Sequence, residues 1–169
     1  NMASSINDKR HQSYIDHSYE NLILQRVSQI ICGYEDADDC NFLRNDHAFK
    51  VVNGRETPLA SQPTMTRLEN TVTSKDLLRL GYSIVDQFID SYESEPEMIV
   101  IDMDPSVHRT YGGQQLSLFN GHIDEYCLMP FYIYEGISGK MISTIIRPGK
   151  TPGAQEIITL LKRLVKRLR

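Results

Sequence analysis

Residues 98–106 read Met-Ile-Val-Ile-Asp-Met-Asp-Pro-Ser, an apolar run that ends abruptly in two carboxylates. An unbroken stretch of Met, Ile, Val and Ile specifies a strand inside a sheet. Side chains alternate across a strand, so Asp102 and Asp104 share one face, roughly 6–7 Å apart. Proline has no N–H for the ladder, so pairing is expected to stop at Pro105 and leave Asp104 at the mouth of the strand. Carboxylates placed in this way suit a hard divalent cation, which takes oxygen ligands. The alternative is structural: the two acids end a strand and cap a turn.

The chain is long enough, at 169 residues, to bury one or two small cores. No apolar run approaches the ~20 residues of a membrane helix and the start is polar, so neither a membrane span nor a signal peptide is expected, and the expected setting is cytoplasmic. Three cysteines, Cys32, Cys40 and Cys127, suit a reducing compartment better than a disulfide framework. Cys32, Cys40 and His47 match no zinc-ligand spacing and read as plain thiols and a lone imidazole. Asn1 before Met2 reads as an expression remnant. The net charge of −4 hides an asymmetry, since residues 140–169 hold eight Lys and Arg against Glu156 alone. Such a segment can follow a phosphate backbone. Equally, it can complement a helix dipole and keep a surface soluble.

Periodicity divides the chain into a first segment expected to be flexible (1–16), a helical domain (17–94) and a strand-rich domain (95–169). A helix is expected over 17–31, with Ile23, Val27, Ile30 and Ile31 inward and Gly33 as its C-cap. Two short helices follow over 36–45 and 46–52, burying Phe42, Leu43, Ala48, Phe49 and Val52. Ser61 caps a helix with Pro63 in its first turn that runs to about Val72. Thr73-Ser74 opens a longer one to about Tyr92, with the stripe Leu77, Leu80, Ile84, Val85, Phe88 and Ile89. Beyond 94 the period changes. A short strand is expected over 116–119, and an aromatic one over 126–134 whose Pro130 marks a bulge or an edge. A hairpin turn at 136–139 leads to a strand over 140–147. A final helix covers 154–168, with Ile157, Leu161, Leu164 and Leu168 inward.

Several motifs taken together resemble those of a known family. They are Val-Ile-Asp-Met-Asp-Pro-Ser (100–106), Tyr-Gly-Gly-Gln-Gln (111–115), Phe-Asn-Gly (119–121), Tyr-Cys-Leu-Met-Pro-Phe (126–131) and Ile-Arg-Pro (146–148). In this order they resemble the catalytic domain of bacterial insertion-sequence transposases of the DDE (Asp-Asp-Glu) class. Gly-Tyr-Glu-Asp (33–36) and Leu-Ala-Ser-Gln-Pro-Thr (59–64) resemble the helical domain of the same group. The resemblance spans the chain from about His17. It implies an α+β fold in which a helical domain precedes a partial, truncated ribonuclease-H-like β-β-β-α unit. It also implies that Asp104, followed by Pro105-Ser106, is the first catalytic and metal-binding acid, with Asp102 as the fallback. In that family two Mg²⁺ or Mn²⁺ ions about 3.5–4 Å apart activate the attacking oxygen and stabilise the leaving one. The second Asp and the Glu of the family are missing here, so the metal is expected only for the complete site and no cleavage is expected of this chain by itself.

The implied partner is double-stranded DNA at an element's terminal inverted repeats, in a bacterial cytoplasm at the nucleoid. The segment 61–69 has the form of a helix-turn-helix recognition helix, with Gln62, Thr64, Thr66 and Arg67 turned outward to base edges. It reads equally as a capped structural helix. Lys162, Arg163, Lys166 and Arg167 on the last helix are the candidate phosphate contacts. His108 and His122 flank the mouth of the strand and read as loop histidines. The unbroken edge of residues 98–103 points to a homodimer or higher self-association. Two alternatives stand beside the transposase: a non-catalytic DNA-binding or dimerisation module, and a haloacid-dehalogenase-like phosphatase, whose hydrophobic run also ends in Asp-x-Asp but leads into parallel strands.

Overall fold

Ser18 opens the first helix by accepting the N–H of Asn21, and α1 runs over Tyr19–Ile31. The computed structural model describes residues 2–169; Asn1 lies outside the described residues. The face that α1 buries is not the expected one. Tyr19, Leu22, Gln25 and Gln29 are buried, Ile23 is half-buried, and Val27, Ile30 and Ile31 are exposed, Ile31 by 78%. Two glutamines turn inward because each finds a partner there. The Gln25 amide donates to the Ala60 carbonyl and accepts the Ala60 N–H, both at 3.0 Å. The Cys40 thiol donates to Gln29 Oε1 at 3.2 Å. Around them Ile6, Tyr19, Leu22, Cys40, Ala60, Met65 and Leu68 form the first core.

The opening residues contribute to that core rather than trailing from it. They form 3-10 turns at Met2–Ser5 and Gln12–Tyr14, and Ile6 is buried. The Asn7 N–H reaches Asp76 Oδ1 at 3.3 Å. The two short helices are α2 (Asp39–Leu43) and α3 (His47–Val52), the latter capped by Asp46. A helix of one or two turns has one inward face, so Leu43 and Phe49 are buried with Leu59 while Ala48, Val52 and Phe42 face solvent. Next, α4 (Gln62–Thr71) carries Pro63 in its first turn, and Ser61 at its N-cap makes no side-chain capping bond. Helix α5 (Ser74–Asp90) opens on a capping box, since Thr73 donates to Asp76 Oδ2 through its N–H (2.9 Å) and hydroxyl (2.5 Å) and accepts the Asp76 N–H (3.3 Å).

Packing divides the chain between Leu80 and Gly81, within α5, earlier than the break in sequence pattern at residue 94. The first turns of α5 leave Leu77 and Leu78 exposed, whereas Val85 and Phe88 enter the second core. That second unit contains two antiparallel sheets. The strands β1 (Ile101–Pro105), β5 (Phe131–Glu135) and β6 (Met141–Ile145) make one, in the order β1-β5-β6. The other, ordered β2-β4-β3, is formed by β2 (His108–Arg109), β3 (Leu118–Asn120) and β4 (Glu125–Leu128) between β1 and β5. The single aromatic strand expected over 126–134 is therefore two, broken at Pro130 and shared between sheets.

Pairing does not fail at Pro105, which lies opposite Phe131 in the ladder. Gly136 N–H donates to the Val100 carbonyl and Ser106 N–H to that of Pro130, so the even-numbered residues of β1 make the bonds to β5. Pro105 falls between two of them, its nitrogen turned to the open edge, where no N–H is needed. Helix α6 (Ala154–Leu168) then covers the core of Val85, Phe88, Phe131, Ile133, Ile142 and Leu164. Ile157, Leu160, Leu164 and Leu168 face this core, and Leu161 lies on the adjoining surface instead of the inward position expected for it. The architecture is α+β, and no helix among the described residues is long and apolar enough to cross a membrane.

Candidate functional site

The alternation of β1 sorts its side chains cleanly. Ile101 and Met103 turn toward the second core, and Asp102 and Asp104 stand exposed on the opposite face. Across the ladder Asp104 lies opposite Tyr132 and Asp102 opposite Tyr134. The Tyr132 hydroxyl meets His108 Nε2 at 3.1 Å, with the rings 5.8 Å apart, so His108 on β2 is held beside the carboxylate-bearing face. His122 lies in the turn after β3, its N–H donated to Asn120 Oδ1. Tyr132 was legible in the sequence only as one aromatic of a strand, and nothing in its spacing signalled the histidine partner.

Two exposed carboxylates one pleat apart are hard oxygen donors that fit one hydrated Mg²⁺ or Mn²⁺, an ion commonly held by one or two acids with waters completing its shell. Among the described residues no group of three or more His, Cys, Asp or Glu is gathered to hold a metal. The pair suits a single ion. Cys32 is exposed beyond α1 while Cys40 is buried against Gln29, so the zinc-like trio of the sequence is not brought together.

Glu135, at the end of β5, is a further acid beside this strand, and its role is positioning. It is buried, and it accepts the N–H groups of Val100 (3.1 Å), Ile137 (3.2 Å) and Ser138 (2.6 Å). One carboxylate thus fixes both the start of β1 and the β5–β6 turn, and with them the register of Asp102 and Asp104. Its bonds with Ser138, and those from Val100 and Ile137, hold its carboxyl down to about 2. A depressed folded pKa stabilises above the unfolded value of 4.5, and that stability is lost as pH falls toward 2. Thermal melts of wild type and Glu135→Gln between pH 5.5 and 2.5 are expected to show this. The wild type should lose stability with acid more steeply than the variant, and parallel pH profiles would refute the assignment.

The helix α4 presents its candidate DNA-reading residues less freely than the sequence implied. Only Arg67 is fully exposed; Gln62, Thr64 and Thr66 are half-buried. Gln62 Nε2 donates to Thr66 Oγ1 at 3.0 Å, tying two of the four to each other. Thr64, Thr66 and Arg67 line a cleft whose other wall is formed by residues 9–19.

On α6, Lys162, Arg163 and Lys166 are exposed, and Lys162 and Lys166 flank a shallow groove floored by Ile158, Leu161 and Val165. Arg167 differs from them. Its guanidinium clasps Asp86 with bonds of 2.6–2.9 Å and sits 5.5 Å from the Tyr82 ring centroid, which ties α6 to α5. Arg147, counted in the basic segment, is likewise internal. It pairs with Glu156 through two bonds of 2.8 and 2.9 Å, donates to the Met129 and Lys150 carbonyls, and lies over Phe131.

The Phe-Asn-Gly turn of the motif set is held by the contacts of its asparagine. The buried Asn120 amide donates to the Gly149 carbonyl at 2.8 Å and its oxygen accepts the N–H groups of His122 and Ile123. No curated protein and no solved structure matches the chain. A family model does, over residues 1–169, and by that match the chain belongs to the transposase family described as Transposase DDE domain group 1.

Proposed function

We propose that this chain acts in DNA transposition by presenting a first catalytic acid to a phosphodiester of double-stranded DNA, with Asp104 in that role and Asp102 as its co-ligand. The observation that carries the proposal is the shared, exposed face of Asp102 and Asp104 on β1, in a chain whose family is defined by such acids. The run β1, β5, β6, α6 follows the strand–strand–strand–helix order of a ribonuclease-H-like unit, and we read it as one. The antiparallel β1–β5–β6 sheet also favours this over the phosphatase alternative, whose strands run parallel.

Asp104 and Asp102 would hold the ion, and a bound Mg²⁺ or Mn²⁺ supplies Lewis-acid polarisation of the phosphodiester and of the attacking oxygen. The chain's own residues set the geometry. Glu135 fixes the register of β1, and the Tyr132–His108 contact orders the face beside Asp104. The exposed Lys162, Arg163 and Lys166 are cations of the kind that meet a DNA backbone. Two gathered acids are enough to hold one ion.

Manganese titration followed by electron paramagnetic resonance tests the site directly. Binding is expected on the order of millimolar, as for a site with few charged ligands. Asp104→Ala should abolish it and Asp102→Ala should weaken it. Unchanged binding in Asp104→Ala, or submicromolar stoichiometric binding by the wild type, would overturn the assignment.

A further inference from the structure

In the first unit, residues 9–19 and α4 enclose a cleft of about 920 Å³. That is at the large end of the roughly 300–1,000 Å³ typical of small-ligand sites. Its charge is strongly one-sided. Arg10 is neutralised by Asp8, and Asp16 is taken up by Arg55. Lys9, Arg44 and Arg67 remain, all lining the cleft and none in an ion pair among the described residues. Arg44 Nε is buried and finds no acceptor among the described residues. Burial above all pushes the His17 imidazole down; Asp16 opposes the shift, and the guanidiniums of Arg55, Arg44 and Arg10 add to it.

A second feature narrows the ligand from any anion to one with planar rings. Tyr14 lines the same cleft, is 87% exposed, and its ring lies 5.3 Å from that of His11. Exposed aromatic faces beside a cationic groove are the means by which proteins hold unpaired nucleic-acid strands, the phosphates in the groove and the bases on the rings. Bases within a duplex are already stacked on each other and offer Tyr14 no free face.

We propose that this cleft binds a single DNA strand, with a phosphate held by Arg44, Arg67 and Lys9 and the adjoining base stacked on Tyr14. The preference for an anion rests on the cleft alone, whereas the choice of DNA over other phosphate-bearing ligands rests on the transposase reading above. The cleft shares no residue with the carboxylate pair of β1, so the metal titration and the strand-binding measurement fail independently.

The test uses the full 169-residue chain and a fluorescein-labelled ten-nucleotide oligothymidylate, followed by anisotropy at several salt concentrations. The wild type is expected to bind it. Tyr14→Ala should weaken binding about tenfold, within the range for losing one stacked base, and Tyr14→Phe should restore it. Arg67→Gln and Lys9→Gln should each lower the slope of log K against log salt by about 0.7. These three positions are on the surface, so their variants keep the fold even where Arg44→Gln does not. Absence of oligothymidylate binding would overturn the proposal. So would affinity that is unchanged in both Tyr14→Ala and Arg67→Gln, or complete displacement by inorganic phosphate with Tyr14→Ala silent.

Discussion

Gly149→Ala is expected to cost the second unit a large part of its stability. A Cβ at this position would stand 2.1 Å from the Cys127 carbonyl oxygen and 2.8 Å from that of Leu118. Both are main-chain atoms, so no side chain can rotate away to make room. Gly149 is in addition a junction. Its carbonyl accepts the Asn120 amide, its N–H reaches the Leu116 carbonyl at 3.4 Å, and the preceding Pro148 bridges to Leu128. Moving residues 148–150 to relieve the clash would pull the acceptor from Asn120 and leave a buried amide unpaired. Overpacking together with that lost bond comes to roughly 3–5 kcal/mol. Against a typical domain stability of about 5–15 kcal/mol, much of the unit would be unfolded or close to it. Urea unfolding followed by near-ultraviolet circular dichroism checks this. A midpoint equal to that of the wild type would show that the strands yield more readily than the contacts imply.

The first unit should be most sensitive at Gln25. This residue is 1% exposed, and its amide satisfies both the N–H and the carbonyl of Ala60, itself fully buried. Gln25→Ala removes both partners at once and leaves a cavity. Two orphaned backbone groups at about 1–3 kcal/mol each place the loss at roughly 3–5 kcal/mol. Gln25→Leu, which restores volume but not the bonds, should recover little. Gln25→Glu keeps an acceptor for the Ala60 N–H yet brings a charge into the core and cannot donate while ionised, so it too should be severe. Denaturation followed at 222 nm measures each. A Gln25→Leu protein as stable as the wild type would mean that Ala60 finds its hydrogen bonds elsewhere.

The same residue explains why the apolar stripe of α1 does not face inward. Ile23, Val27, Ile30 and Ile31 make a regular apolar stripe, and periodicity alone directs that stripe inward. What decides the buried face is a polar pairing between residues 25 and 60, which no local pattern reveals. The opposite held where burial is purely apolar and local. The helix α6 has the bounds expected of it, and its inward face differs at two leucines, Leu160 facing the core in place of Leu161. Strand β1 and the common face of Asp102 and Asp104 follow from alternation, which does not depend on what lies across the ladder. Whether Pro105 ends the pairing depends on whether the bonded positions of β1 are odd or even, and that register is set by β5. The partner of Arg167 was hidden for a similar reason: Asp86 is 81 residues away. Short-range pattern gave the elements; long-range polar pairing decided their faces and contacts.

The cysteines turn this division of the chain into something that can be followed chemically. Cys40 is fully buried in the core of the first unit, its thiol pKa raised by burial, and Cys127 is fully buried in the second. Cys32 is exposed. A thiol-labelling reagent would therefore modify Cys32 in the native protein at once. Cys40 and Cys127 would react only through openings of their own surroundings, at rates that record the local opening free energy of each. One mass-spectrometric time course on the unmodified sequence would then rank the two units by resistance to opening, with Cys32 as its internal clock.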